Sequence, residues 1–255
     1  MPARLFVSAP LAPHCEFELP AGAARHVQVL RLQPGAALTI FDGRGGEWSA
    51  AVAAMGRSSV RVRIESFHAV ERELAVHVTL ALAMPANERM DNLIEKATEM
   101  GASVIQPLHC NRSVLRLAGE RALKKVAHWQ GVAIAACEQS GRTRVPGVAA
   151  VQDLADWLAA LPACIDAAGL RLLLSPGGRP WHEVWPDTGA AGLHNLISLS
   201  GPEGGLTEDE EHAARSRGFQ PASLGPRILR ADTAPLVVLA HAALRADARP
   251  ARAAA

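Results

Sequence analysis

Leu196-Ile197-Ser198-Leu199-Ser200-Gly201-Pro202-Glu203-Gly204-Gly205-Leu206-Thr207 is the stretch that decides the fold. Ile197 and Leu199 belong to a short apolar run of buried-strand length. Gly201, Gly204 and Gly205 then supply a backbone free to take positive φ and to approach a ligand closely. Thr207 and Glu210 have the spacing of a capping box, which predicts a helix start. Strand, glycine loop and helix in that order read as a ligand cradle, because open α/β sheets bind ligands at the carboxyl ends of their strands. A plain glycine-rich turn without a ligand has the same pattern, and one glycine motif does not separate the two.

Ser223-Leu224-Gly225-Pro226-Arg227-Ile228-Leu229-Arg230-Ala231-Asp232-Thr233-Ala234 repeats the Gly-Pro device about twenty residues later. It again follows a short strand and precedes an apolar helix, so the two loops are placed to face one crevice. No Lys-Ser/Thr pair closes either loop and neither reads G-x-G-x-x-G, which argues against a P-loop or a dinucleotide fingerprint.

Outward from these loops the period is that of an α/β layer. Residues 76–84 form a continuous apolar run, as in a strand buried on both faces, and Pro85 ends it. Met90, Leu93, Ile94 and Ala97 recur at helical spacing, with Gly101 as the stop. Strands are predicted at 104–108, 170–175 and 194–200, and helices at 120–138 and 236–244. Residues 145–168 read as a helix with loops. Alternating strands and helices imply a mostly parallel sheet. Before residue 70 the chain reads as β-rich, with strands predicted at 4–7, 26–30, 37–41, 48–53 and 60–64 between Gly and Pro turns. Val60-Arg61-Val62-Arg63-Ile64 alternates strictly, which puts both arginines on one face.

The residues GPEGGLT at 201–207 and LGPRILRADTA at 224–234 resemble the SPOUT-class RNA methyltransferases, and most closely the RsmE-type enzymes, which methylate N3 of a uridine in 16S ribosomal RNA. The resemblance continues through Arg89-Met90-Asp91, residues 95–101, Arg112-Ser113-Val114, Glu138-Gln139-Ser140-Gly141-Arg142, and His26-Val27 to Phe41-Asp42-Gly43. Where the family usually has Thr-Glu-Thr, this chain has Ala231-Asp232-Thr233, and Pro235 is unusual so early in the last helix. The resemblance implies a PUA-like β-barrel that grips RNA over residues 1–70. It implies a knotted parallel-sheet methyltransferase domain over 74–246, followed by a flexible tail at 247–255. It also implies S-adenosylmethionine as cofactor, 16S rRNA or the small ribosomal subunit as partner, and a homodimer. The alternatives are a SPOUT enzyme acting on another atom, such as a ribose 2′-hydroxyl, and a non-catalytic ribosome-assembly factor.

Composition bounds the rest. The 255 residues are 49% hydrophobic, enough for a sizeable core, and the net charge is only +1. Any RNA surface is therefore a local patch. Between Asn111 and Val145 seven basic residues face two acidic ones, a local +5 that favours phosphate binding as a group. Aromatics are 4% and Tyr is absent, which argues against a broad stacking platform; His128 and Trp129 are the one pair there suited to a base. Cys15, Cys110, Cys137 and Cys164 form no C-x-x-C pair, and the ten His residues lack ligand spacing, so no metal is expected. Pro10 and Pro13 come too early for a signal-peptide core, and no apolar run approaches the roughly 20 residues that span a bilayer. A cytoplasmic protein is the expectation.

Under the resemblance, Leu174, Ser175 and Pro176, residues 199–205, Leu224, Gly225, Arg227, Ile228 and Leu229 surround the cofactor. Arg230 and Asp232 lie beside it. Asp232 reads equally as the base that takes the uridine N3 proton and as an N-cap of the closing helix. Glu138 and Glu203 are rival bases. Arg4, Arg31, Arg61, Arg63, Arg112, Arg116, Lys124 and Arg142 are the candidate RNA contacts, with Arg112 and Arg142 open to a part in the chemistry instead.

Overall fold

The computed structural model describes residues 2–85, 88–163, 168–185 and 193–247. Of the expected tail at 247–255, all but Asp247 lies outside the described residues, as does Cys164. The chain divides into two compact units: Met1–Glu73 with Ile134–Val145, and Leu74–Ala133 with Pro146–Ala255.

The first unit is built on a five-stranded sheet. Its strands are β1 (Ala3–Phe6), β2 (Glu16–Glu18), β3 (Ala37–Phe41), β4 (Glu47–Met55) and β5 (Val60–His68), in spatial order β1-β3-β4-β5-β2. On β5 the alternation acts as expected: Val60, Val62 and Ile64 are fully buried while Arg61 and Arg63 are exposed. They join Leu5, Leu38, Ile40 and Val27 in one apolar core.

One predicted strand is a helix. Residues 26–30 fall mostly within helix α1, Ala21–Val29. The Val-Gln-Val alternation looks like a half-buried strand, but Ala24 and Val27, three apart, are the buried pair, while Val29 is 70% exposed. The 3.6-residue period that begins at Ala21 decides over a five-residue alternation. Arg31, at φ 54°, ends the helix in the left-handed conformation, and Leu32 N–H returns to Val27 O at 3.2 Å.

The second unit holds a sheet of seven strands, all parallel where they pair. They are β6 (His77–Ala83), β7 (Val104–His109), β8 (Gly147–Val148), β9 (Gln152–Asp153), β10 (Gly169–Pro180), β11 (Asn195–Ser200) and β12 (Gln220–Ser223). The helices are α2 (Glu88–Glu99), α3 (Gly119–Ser140, whose last turns belong to the first unit), α4 (Leu154–Ala160), α5 (Trp181–Val184), α6 (Glu208–Ser216) and α7 (Ala234–Asp247). The stretch at 145–168 thus carries two short strands as well as the expected helix. No described helix is long and apolar enough to cross a membrane.

The strand order β12-β10-β11-β6-β7-β8 positions the site. After β11 the chain runs through α6 and returns on the far side of β10. The carboxyl ends of β11 and β12 therefore flank β10, and the loops leaving both meet over it. β10 bends there, with a register shift between Leu174 and Arg179. Gly178 lies so close to β12 that a Cβ would stand 2.6 Å from Ala222 N, so only glycine fits.

Candidate active site

The two glycine loops and the bend of β10 enclose one crevice of about 510 Å³. Its walls are residues 174–176, 200–206 and 222–225, with Arg227 to Ala231, Glu211 and Ala234.

The first loop is fixed at both ends. Thr207 caps α6: its Oγ1 accepts from Glu210 N–H at 3.3 Å, and Glu210 Oε2 accepts from Thr207 N–H at 2.8 Å. Glu210 Oε1 also accepts from Asn111 N–H at 2.7 Å, tying the segment after β7 to the same helix start. At Gly201 a Cβ would stand 2.9 Å from Leu206 N, so this glycine lets the loop fold back on its own backbone. Arg112 braces the loop from outside, donating from Nη1 to Gly204 O at 2.8 Å and to Leu206 O at 3.3 Å. Arg89 pairs with Glu203 at 3.4 Å.

The second loop is more open. Gly225 takes φ +109° with nothing within 4 Å of a built Cβ, and Ile228 is 87% exposed. The loop closes into α7 through Thr233 N–H and Ala234 N–H, which donate to Arg230 O at 2.9 and 3.1 Å. Pro235 is the second residue of α7, where its missing N–H is one the helix leaves unpaired anyway.

Of the residues expected around a cofactor, all but Leu199 line this crevice. Leu199 is fully buried in the core beneath it, with Leu173 and Phe219. Arg230 is in the lining; Asp232 is not, although Ala231 and Ala234 on either side of it are, and its Oδ1 is buried without a hydrogen-bond partner. Glu203 lines the crevice. Glu138 belongs to the first unit, where its Oε1 accepts the Phe6 N–H at 2.9 Å. Ser200 is 4% exposed, and its Oγ is buried without a partner. Glu211 is a lining residue outside the expected set: the capping box at Thr207 marks the end of the loop, yet a side chain four residues past a cap points back along the helix toward it.

The expected RNA contacts divide. Arg142 is 4% exposed and forms a multidentate ion pair with Glu73, so it is not available to phosphate. Arg4 is likewise enclosed, pairing with Glu47 and donating to Gly141 O and Arg142 O. Both expectations are corrected for one reason: acids distant in sequence neutralise these arginines within the fold. Burial alone pushes the Glu47 carboxyl up, but the hydrogen bonds and charges of Arg72 and Arg4 outweigh it and hold it below the ordinary 4.5. Arg61 and Arg63 are exposed but stand directly across from Glu18 and Glu16 of β2, a strand too short to be expected. Lys124 is exposed and pairs with Glu120, Arg116 donates to Cys110 O and Asn111 O, and Arg31 is exposed. Trp129 is 1% exposed and donates to Asp91 Oδ1 at 3.0 Å, while His128 Nε2 lies 2.8 Å from Oδ2, so the pair ties α3 to α2 and does not present a stacking face. Among the described residues no group of three His, Cys, Asp or Glu side chains is placed to hold a metal ion.

The chain matches two domain families, the RNA methyltransferase domain over residues 72–243 and the RNA methyltransferase PUA domain over residues 19–65. It is 35% identical to the ribosomal RNA small subunit methyltransferase E of Synechocystis sp., over 84% of this chain and 68% of that protein. It is 31% identical to the Bacillus subtilis protein of the same name, over 84% and 83%. The crystal structure of the Neisseria gonorrhoeae protein of that name, bound to S-adenosyl methionine, superposes with a TM-score of 0.85 at 31% identity, covering 94% of this chain and 96% of the other.

Proposed function

The chain belongs to the ribosomal RNA small subunit methyltransferase E family, and we propose that it transfers a methyl group from S-adenosylmethionine to N3 of a uridine in 16S ribosomal RNA. The observation that carries this reading is the single crevice made by the two glycine loops and the bend of β10.

The residues present fit such a cofactor. About 510 Å³ lies within the range of small-molecule sites. Leu174, Pro176, Leu224 and Leu229 offer apolar walls for an adenine, and Gly225 leaves open space beside a backbone whose N–H and C=O are held by the Ser223 hydroxyl. Ser200 Oγ, buried and unpartnered, is a polar group of the kind a ligand completes. S-adenosylmethionine supplies an electrophilic methyl on its sulfonium. The protein's task is then to hold N3 in line and to remove its proton, which ionises only above neutral pH. Asp232 is our candidate for the acceptor, since its buried Oδ1 has no other partner to satisfy it. Arg230 stabilises the uracil anion. Residues 1–70 grip the RNA and 74–246 carry the transfer. The exposed apolar Val237 and Leu244 on α7 support a homodimer, and the work is placed in the cytoplasm, where ribosomal subunits are assembled.

Modification mapping of 16S rRNA from a strain lacking the gene tests the substrate. One uridine should lose its N3-methyl group, and a fully modified rRNA would remove the proposal.

A further inference from the structure

Glu211 faces the crevice from the first turns of α6, four residues after the capping Thr207. Two partners hold its carboxylate. The Ser175 hydroxyl donates to Oε1 at 3.3 Å, and Arg215 Nη2 donates to Oε2 at 2.9 Å. Ser175 lines the same crevice. Its one hydroxyl proton is committed to Glu211, so only lone pairs remain for a ligand. Toward the crevice, the Ser175–Glu211 pair therefore presents acceptors alone. Arg215 offsets the carboxylate's charge, which suits the pair to neutral O–H donors rather than to service as the counter-ion of a cation. Glu211 is 26% exposed, so its remaining lone pairs are partly withdrawn from water. Ligand donors that satisfy them then matter more than they would on an open surface.

We propose that Ser175 and Glu211 form a subsite for a vicinal diol, which selects the ribose of an adenosyl cofactor by accepting from its 2′- and 3′-hydroxyls. This rests on the cofactor reading given above and adds a residue to it. A site built to bond hydroxyls rejects an analogue that lacks them, because its own acceptors are then left unpaired.

Calorimetry on the whole protein with S-adenosylhomocysteine and its 2′,3′-dideoxy analogue tests the subsite. The parent protein should bind the diol at least about tenfold more tightly than the dideoxy compound. Glu211→Ala should weaken the diol by about tenfold or more and change the dideoxy compound by less than about twofold, so the preference collapses. Ser175→Ala should reduce the same preference, and Arg215→Ala, which removes the ion pair but leaves the acceptors, should preserve it. The subsite is overturned if Glu211→Ala and Ser175→Ala keep the parental preference, or if they weaken both ligands equally. A parent protein that binds neither ligand overturns the cofactor reading itself, which separates the two failures.

Discussion

Arg112→Ala should weaken cofactor binding before any RNA is present. Nη1 of Arg112 donates to Gly204 O at 2.8 Å and to Leu206 O at 3.3 Å, so it spans the first glycine loop from outside the crevice. A hydrogen bond from a charged donor is worth about 1.5–3 kcal/mol. Arg112 is exposed, so solvent screening puts the two bonds together at about 1.5 kcal/mol. That is about a tenfold change in the ratio of ordered to disordered loop. If the loop binds only when ordered, the apparent Kd for S-adenosylhomocysteine rises by up to the same factor, reached when the variant's loop is mostly disordered. Calorimetry on the RNA-free protein reads this directly. The other role for Arg112, a phosphate contact, has a different signature: a slope of log K against log salt that falls by roughly 0.9, or 0.7 on single strands, with cofactor affinity intact. Unchanged cofactor affinity together with a reduced salt slope would refute the bracing role.

Three further outcomes follow from particular side chains. Asp232→Asn keeps the shape of the residue but removes the proton acceptor, so the single-turnover rate should fall by about a hundredfold or more with cofactor affinity nearly unchanged; a near-parental rate would eliminate it as the base. Glu47 has a folded pKa held below 4.5, so its contribution to stability is full above that value and is lost as pH falls through the folded pKa. Glu47→Gln should therefore melt lower at neutral pH and decline less steeply in acid, and parallel melting profiles would count against it. Burial pushes the Cys110 thiol up to about 12 and the Cys137 thiol up to about 11. Native alkylation near pH 8, read by mass spectrometry, should mark Cys15 and spare both; rapid labelling of either would contradict their burial.

Local signals describe the fold well where the cause is itself local. Thr207 and Glu210 cap a helix because both partners lie within one turn. The run at 76–84 becomes a strand in the middle of the sheet because continuous apolar character has no other use at that length. The failures have the opposite origin. Arg142 and Arg4 read as surface cations because Glu73 and Glu47 lie 69 and 43 residues away along the chain. Arg61 and Arg63 read as a free basic face because β2, only three residues long, gives no periodicity from which to foresee Glu16 and Glu18 opposite them. At residues 26–30 the alternation was genuine, but the core took Ala24 and Val27 from a helix that starts earlier. In the crevice the glycine loops were legible as cradles, whereas Glu211 required knowing that α6 turns its first face back toward β10.

Methyl transfer by the purified protein to unmodified small ribosomal subunits, followed by nucleoside analysis of the rRNA, tests the central claim most directly. With labelled S-adenosylmethionine, the label should appear in 3-methyluridine at a single position. Label in a 2′-O-methylated nucleoside, or no transfer by a protein that binds the cofactor, would contradict it.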